Sequence, residues 1–139
     1  MEMYGINDMK MMIALALGEK YYYTHEELEK VDLTAPAYSS CAMMVPLNAG
    51  TIAQIEGMDA VENEPAVTRV IQNFHVGDTI PPSAVGTLNG HFARIGMKVE
   101  NSEQMIELVN RLQDGLSIKD TEGNEMYTLR FDTNRLLKE

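Results

Sequence analysis

Tryptophan is absent from the 139 residues, phenylalanine occurs three times and cysteine once. With Cys41 as its only cysteine the chain cannot close a disulfide on itself, which fits a reducing compartment. Cys41 lies in the run Ser40-Cys41-Ala42-Met43-Met44-Val45 and reads as a small buried residue, not a reactive thiol. Long apolar runs are missing too. The longest, Met11 to Leu17, is far too short to span a bilayer. Glu2 and Asp8 come early, and Lys10 is the only base before the apolar run, which is not the pattern of a signal peptide. Positive charge is scarce: 11 Lys and Arg stand against 21 Asp and Glu, a net charge of −10. Such a surface repels phosphate backbones and anionic lipid. The expectation is a cytoplasmic protein with neither nucleic acid nor membrane as partner.

What is present suits a globular fold. Hydrophobic residues make up 45% of the chain, enough for a core, and the length points to one domain, or one domain with a helical appendage. The 11 methionines are tolerant core fillers and carry no function by themselves.

Residues 1 to about 35 read as helical. Ile6, Met9, Met12, Ile13 and Ala16 share one face, Asn7 or Asp8 can cap the start, and Gly18 can supply the stop. From Met11 to Leu17 the helix is apolar nearly all round, so it requires partners on more than one side. Thr24-x-x-Glu27 is a capping-box pattern for a second short helix. Tyr21-Tyr22-Tyr23 reads as a connector covering the core, since no basic groove stands beside it.

Strand patterns dominate from residue 40. They fall at Ala42–Leu47, Thr51–Glu56, Val67–Phe74, Thr79–Ile80 and Phe92–Val99, with Gly96 as a bulge position. Asn101-x-x-Gln104 then opens the best helix, whose stripe is Met105, Leu108, Val109 and Leu112 and whose stop is Gly115. Leu116–Lys119 and Met126–Arg130 read as two further strands. The expected fold class is α+β: N-terminal helices (1–35) leading into an antiparallel sheet domain (36–139) with one helix packed on it.

No self-contained chemistry is visible. Phosphate-binding glycine loops, H-E-x-x-H and C-x-x-C are all absent. His25, His75 and His91 form no local ligand pair. His25 and His75 read as solvated or loop residues, and His91, beside Gly90 at a strand start, is the one histidine with a weak claim to function. Ser39, Ser40, Ser83, Ser102 and Ser117 lack any nucleophile-elbow context. Glu26-Glu27 and Glu62-x-Glu64 read as solvated acidic faces. No catalytic, cofactor-binding or metal-binding residue is therefore assigned.

Three stretches, taken in order, carry a resemblance: Tyr4-Gly5-Ile6-Asn7-Asp8-Met9 through Ile13-Ala14-Leu15-Ala16-Leu17-Gly18-Glu19; Gly50-Thr51-Ile52-Ala53-Gln54-Ile55-Glu56-Gly57 with Gly77-Asp78-Thr79-Ile80; and Arg94-Ile95-Gly96-Met97-Lys98-Val99 running into the capped helix. Together, roughly from Gly5 to Leu129, they resemble the C-terminal domain of ATP-grasp carboxylate–amine ligases, in the L-amino-acid ligase and biotin-carboxylase-like branch. A β-sandwich-hybrid-like sheet is implied. The resemblance implies a parent that binds ATP and magnesium upstream, activates a carboxylate as an acyl phosphate and hands it to an amine. Phosphoribosylamine–glycine ligase and carbamoyl-phosphate synthase types are alternative parents. The family's ATP and magnesium residues lie outside the matching stretches, so none is carried over. The chain is expected to pack on the missing ATP-grasp lobes of its own polypeptide, to shape the acceptor side of the site and to offer a subunit contact in a homo-oligomer. Met1 standing just ahead of a mid-family motif implies a fragment that is inactive alone.

Two rivals stand beside this reading. Gly77-Asp78-Thr79-Ile80 and Met97-Lys98 resemble parts of a biotinyl or lipoyl carrier, whose lysine would sit on a hairpin tip. A stand-alone binding or dimerisation module is the other, and it requires that no apolar patch be exposed near Met9, Met11 and Leu15.

Overall fold

The computed structural model describes residues 7–19, 26, 29–31, 37–127 and 129–134. The chain divides into two units, Met1–Tyr38 and Ser39–Glu139.

In the first unit, helix α1 spans Asp8–Ala16. Asn7 caps it, its side-chain oxygen accepting from the Lys10 N–H at 2.8 Å. Gly18 sits at φ +76, beyond the C-terminal turn, where a left-handed residue ends a helix. The expected inward stripe is not inward: Met9, Met12 and Ile13 are exposed, and Ala14 is the buried residue of this helix. Ile6, Tyr21–Tyr23, Thr24, His25 and Glu27 lie outside the described residues.

The second unit is α+β, built from two three-stranded antiparallel sheets where the sequence suggested one. The first contains β1 (Ser39–Pro46), β3 (Val67–Gln72) and β5 (His91–Val99), in the order β1-β5-β3. The second contains β2 (Gly50–Glu56), β4 (Thr79–Ile80) and β6 (Ser117–Asp120), in the order β4-β2-β6. Helix α2 (Met58–Glu62) follows β2, and α3 (Ser102–Gly115) follows β5 and packs on β1 and β5. Asn101 caps α3 by accepting from the Gln104 N–H at 3.0 Å, and the Gln104 side chain accepts from the Glu100 N–H at 3.1 Å. This is the reciprocal satisfaction that a capping box supplies, shifted by one residue.

Pairing in the first sheet places Met43, Ile95 and Val70 in one row and Met44, Arg94 and Ile71 in the next. Successive rows point to opposite faces. Met43, Val45, Ile95 and Met97 therefore turn inward against Met105, Leu108, Val109 and Leu112 of α3, and Ile52, Ile80 and Ile118 of the second sheet complete one core. The register slips between Val67 and Arg69 on β3, so the irregularity expected at Gly96 lies on the strand paired with it. Gly57, at φ +87, joins β2 to α2 where a β-carbon would stand 2.1 Å from the Gly115 carbonyl oxygen; only glycine fits there.

The strand expected at Met126–Arg130 does not form. Beyond β6 the pairing is a single bridge, Lys119 to Glu125, among the described residues. The chain turns instead onto α3, for the reason given below.

Candidate functional site

Gln113 organises the end of the chain. It is 3% exposed on α3, a polar side chain within an otherwise apolar buried face. Its oxygen accepts from the Tyr127 hydroxyl at 3.2 Å and from the Phe131 N–H at 2.5 Å, and its nitrogen donates to the Phe131 carbonyl at 3.2 Å. Arg130 donates to the Gln113 carbonyl and to Asp114 (3.2 Å), and its guanidinium stands 5.2 Å from the centre of the Tyr127 ring. Thr133 adds a bond to Asn110 at 3.0 Å. Both backbone groups of Phe131, just beyond the expected strand, are thus satisfied by a helix side chain. Burial pushes the Tyr127 phenol up to about 12. Glu125 begins this strap. Burial acts to raise its pKa, but bonds from the Ser117 hydroxyl (2.6 Å), the Ile118 N–H (2.9 Å) and the Tyr127 N–H (3.0 Å), with the Arg130 charge, hold it below the usual carboxylate value.

The strap leaves a cavity of about 490 Å³ along β1, lined by Cys41, Met43 and Met44, by Val109 of α3 and by Leu129, Phe131 and Asp132. β1 is an edge strand and carries no charged residue. The lining is mostly apolar and fits an apolar chain or side chain. The Cys41 thiol is half-buried, and burial raises its pKa, which counts against a reactive thiolate. A second, smaller cleft of about 190 Å³ lies on the other face of the first sheet, lined by Met44, Ile71, Asn73, Leu88, His91 and Arg94. His91 borders both cavities, its Nδ1 donating to the Leu88 carbonyl at 3.2 Å.

The other residues weighed from sequence fall elsewhere. His75 closes a turn, its backbone N–H donating to Asp78 at 2.7 Å. Glu64 is no solvated acid: it accepts from Arg111 of α3 at 2.6 Å and from the Ala66 N–H at 3.2 Å. Its pKa is lowered, chiefly by that backbone bond. Glu26 pairs with Lys30 at 2.9 Å on the surface. Met97 is buried within β5 and Lys98 is exposed beside it, so this pair stands in a strand and not on a hairpin tip. Among the described residues no group of three His, Cys, Asp or Glu side chains could hold a metal ion. No step through ATP or magnesium is assigned to these residues. Among the described residues no helix is long and apolar enough to cross a membrane.

On α1 the exposed side chains Met9, Met12, Ile13, Leu15 and Leu17 are 53–71% accessible. Five large apolar side chains thus stand exposed within nine residues, a concentration of apolar surface that isolated soluble domains keep small.

No protein-family model and no curated protein sequence matches the chain. Solved structures do. An L-amino acid ligase from Bacillus licheniformis superposes with a TM-score of 0.65 at 23% identity, over 86% of this chain and 28% of that one. A phosphoribosylglycinamide synthetase from Anaerococcus prevotii superposes with a TM-score of 0.60 at 16% identity, over 86% of this chain and 29% of that one. The chain therefore spans under a third of the length of either ligase, and its fold is one that these two ATP-grasp enzymes devote to that share of their length.

Proposed function

We propose that the chain is the C-terminal domain of an ATP-grasp ligase and works as a docking and shaping part, not as a catalyst. In the parent, a carboxylate is activated by ATP as an acyl phosphate and joined to an amine. The catalytic lobes of the same polypeptide, with ATP and magnesium, supply that chemistry. The setting is cytoplasmic, and the branch is the L-amino-acid ligase one, close to biotin carboxylase in design.

One observation carries the reading: the exposed apolar patch on α1 in a chain whose fold matches a minor part of two ligases. Burying a side chain such as Leu15 or Met12 is worth about 1.5–3 kcal/mol, so a patch of this size has a strong tendency to be covered. The absent lobes are the natural cover. The patch counts against a stand-alone module, which was expected to lack it. The strand position of Met97-Lys98 counts against a carrier domain.

The test is the mass of the native polypeptide in its source cell, read by immunoblot with antibodies raised against this chain. A band far heavier than 139 residues supports the reading, and the intact protein is then assayed for ATP hydrolysis dependent on both a carboxylate and an amine. A band at the mass of 139 residues overturns it.

A further inference from the structure

Acids outnumber bases about two to one in this chain, yet the three strands of the first sheet hold Arg69, Arg94 and Lys98 and not one Asp or Glu. The register puts all three bases on the outer face. Arg69 pairs with Gly96, Arg94 lies two residues to one side of Gly96, and Lys98 lies two residues to the other. Neighbours of this diagonal kind stand about 7–8 Å apart, close enough for like charges to repel. Arg69 and Arg94 are exposed and, among the described residues, form no ion pair. At one end of this face Arg94 is flanked in register by Met44 and Ile71, both half-buried, and these three residues line the cleft of about 190 Å³ with Leu88, His91 and Asn73. His91 is held at the rim by its bond to the Leu88 carbonyl, and the Asn73 amide is held by donating to the His91 carbonyl at 3.0 Å.

We infer that this cleft binds a small organic carboxylate carrying a short apolar branch. A guanidinium presents a planar fork that matches a carboxylate with two parallel bonds. Met44 and Ile71 flank that fork and receive the branch. The volume lies below the roughly 300–1,000 Å³ of drug-sized sites, which limits the occupant to a handful of heavy atoms. The same fork also matches phosphate, but this cleft lacks, among the described residues, the further donors that phosphate sites use. Phosphate favours converging backbone N–H groups, and β5 is the central strand of its sheet, with both edges paired. An anion here also relieves the repulsion between Arg94 and Arg69. The inference concerns this chain's own surface and stands apart from the ligase reading.

The test is an NMR titration of the isotope-labelled 139-residue chain with 3-methylbutanoate, following the Arg94 side-chain Nε–H and the amides of Met44, Ile71 and His91. Saturable shifts confined to these groups are expected, with binding weakened about tenfold or more in Arg94→Gln, the loss expected for a charge-assisted pair. Lys119→Gln, a charge removed from the second sheet, should leave binding unchanged, and the uncharged 3-methylbutanamide should not bind. Unchanged amide shifts elsewhere in Arg94→Gln show that the variant is folded. Shifts that fail to saturate overturn the inference. So does equal weakening by Arg94→Gln and Lys119→Gln, which would indicate net charge alone. Displacement by inorganic phosphate at equal or lower concentration overturns the carboxylate assignment.

Discussion

Gln113 shows how one polar residue can redirect a chain. Replacing it with leucine leaves the Tyr127 hydroxyl and the Phe131 N–H without their acceptor. A buried group stranded in this way costs about 1–3 kcal/mol. Gln113→Leu should therefore lower stability by about 2–3 kcal/mol and release residues 129–134, seen as faster amide exchange there. Tyr127→Phe loses one bond and no packing, and should cost less than the Gln113 change in the same urea titration. Glu125 makes the linked pH prediction. Its folded pKa is depressed, so its contribution is complete above the ordinary value of about 4.3 and is lost as pH falls through the lower folded value. Urea midpoints should fall on acidification below about pH 4 in the native chain, and part of that slope should vanish in Glu125→Gln. Gly57→Ala adds strain at a positive φ to a clash with the Gly115 carbonyl. A loss of about 2–4 kcal/mol is expected in thermal unfolding.

At the scale of elements, α3 and α1 behave oppositely although both present apolar stripes in the sequence. The α3 stripe meets a sheet, and truncating Leu108 or Leu112 to alanine should cost about 2–5 kcal/mol by calorimetry. The α1 stripe meets solvent at Met9, Met12 and Ile13. Met12→Ser with Leu15→Ser should leave the unfolding of the Ser39–Glu139 unit unchanged and reduce self-association in analytical ultracentrifugation. An unchanged association state would place the sticky surface elsewhere, on the uncharged edge strand β1 or at Leu129 and Phe131.

At the scale of the molecule, the two-sheet unit is a frame that presents surfaces. Its edge strand and its strap border the larger cleft, and the cationic outer face of its first sheet borders the smaller one. The chain spans under a third of the length of each of the two ligases. Under the proposed function, Mg-ATP should leave the melting temperature of the 139-residue chain unchanged and raise that of the intact parent, both read by thermal shift.

Local signals in the sequence determined most of the elements. The capping pair Asn101 and Gln104, the stripe from Met105 to Leu112, the strand pattern of β5 and the glycine stop at Gly18 act over a few residues, and such signals are legible without a partner. Tertiary structure alone decided the rest. The split into two sheets depends on which strand edges meet, and period-two alternation says nothing about that. Met126–Arg130 has strand propensity, but Gln113, fourteen residues back from Tyr127, takes the Tyr127 hydroxyl and both backbone groups of Phe131, and its carbonyl takes Arg130. Arg94 became part of a candidate site only through register. Pairing with Met44 on one side and Ile71 on the other, residues 50 and 23 positions away in sequence, sets Arg94 between two half-buried apolar side chains.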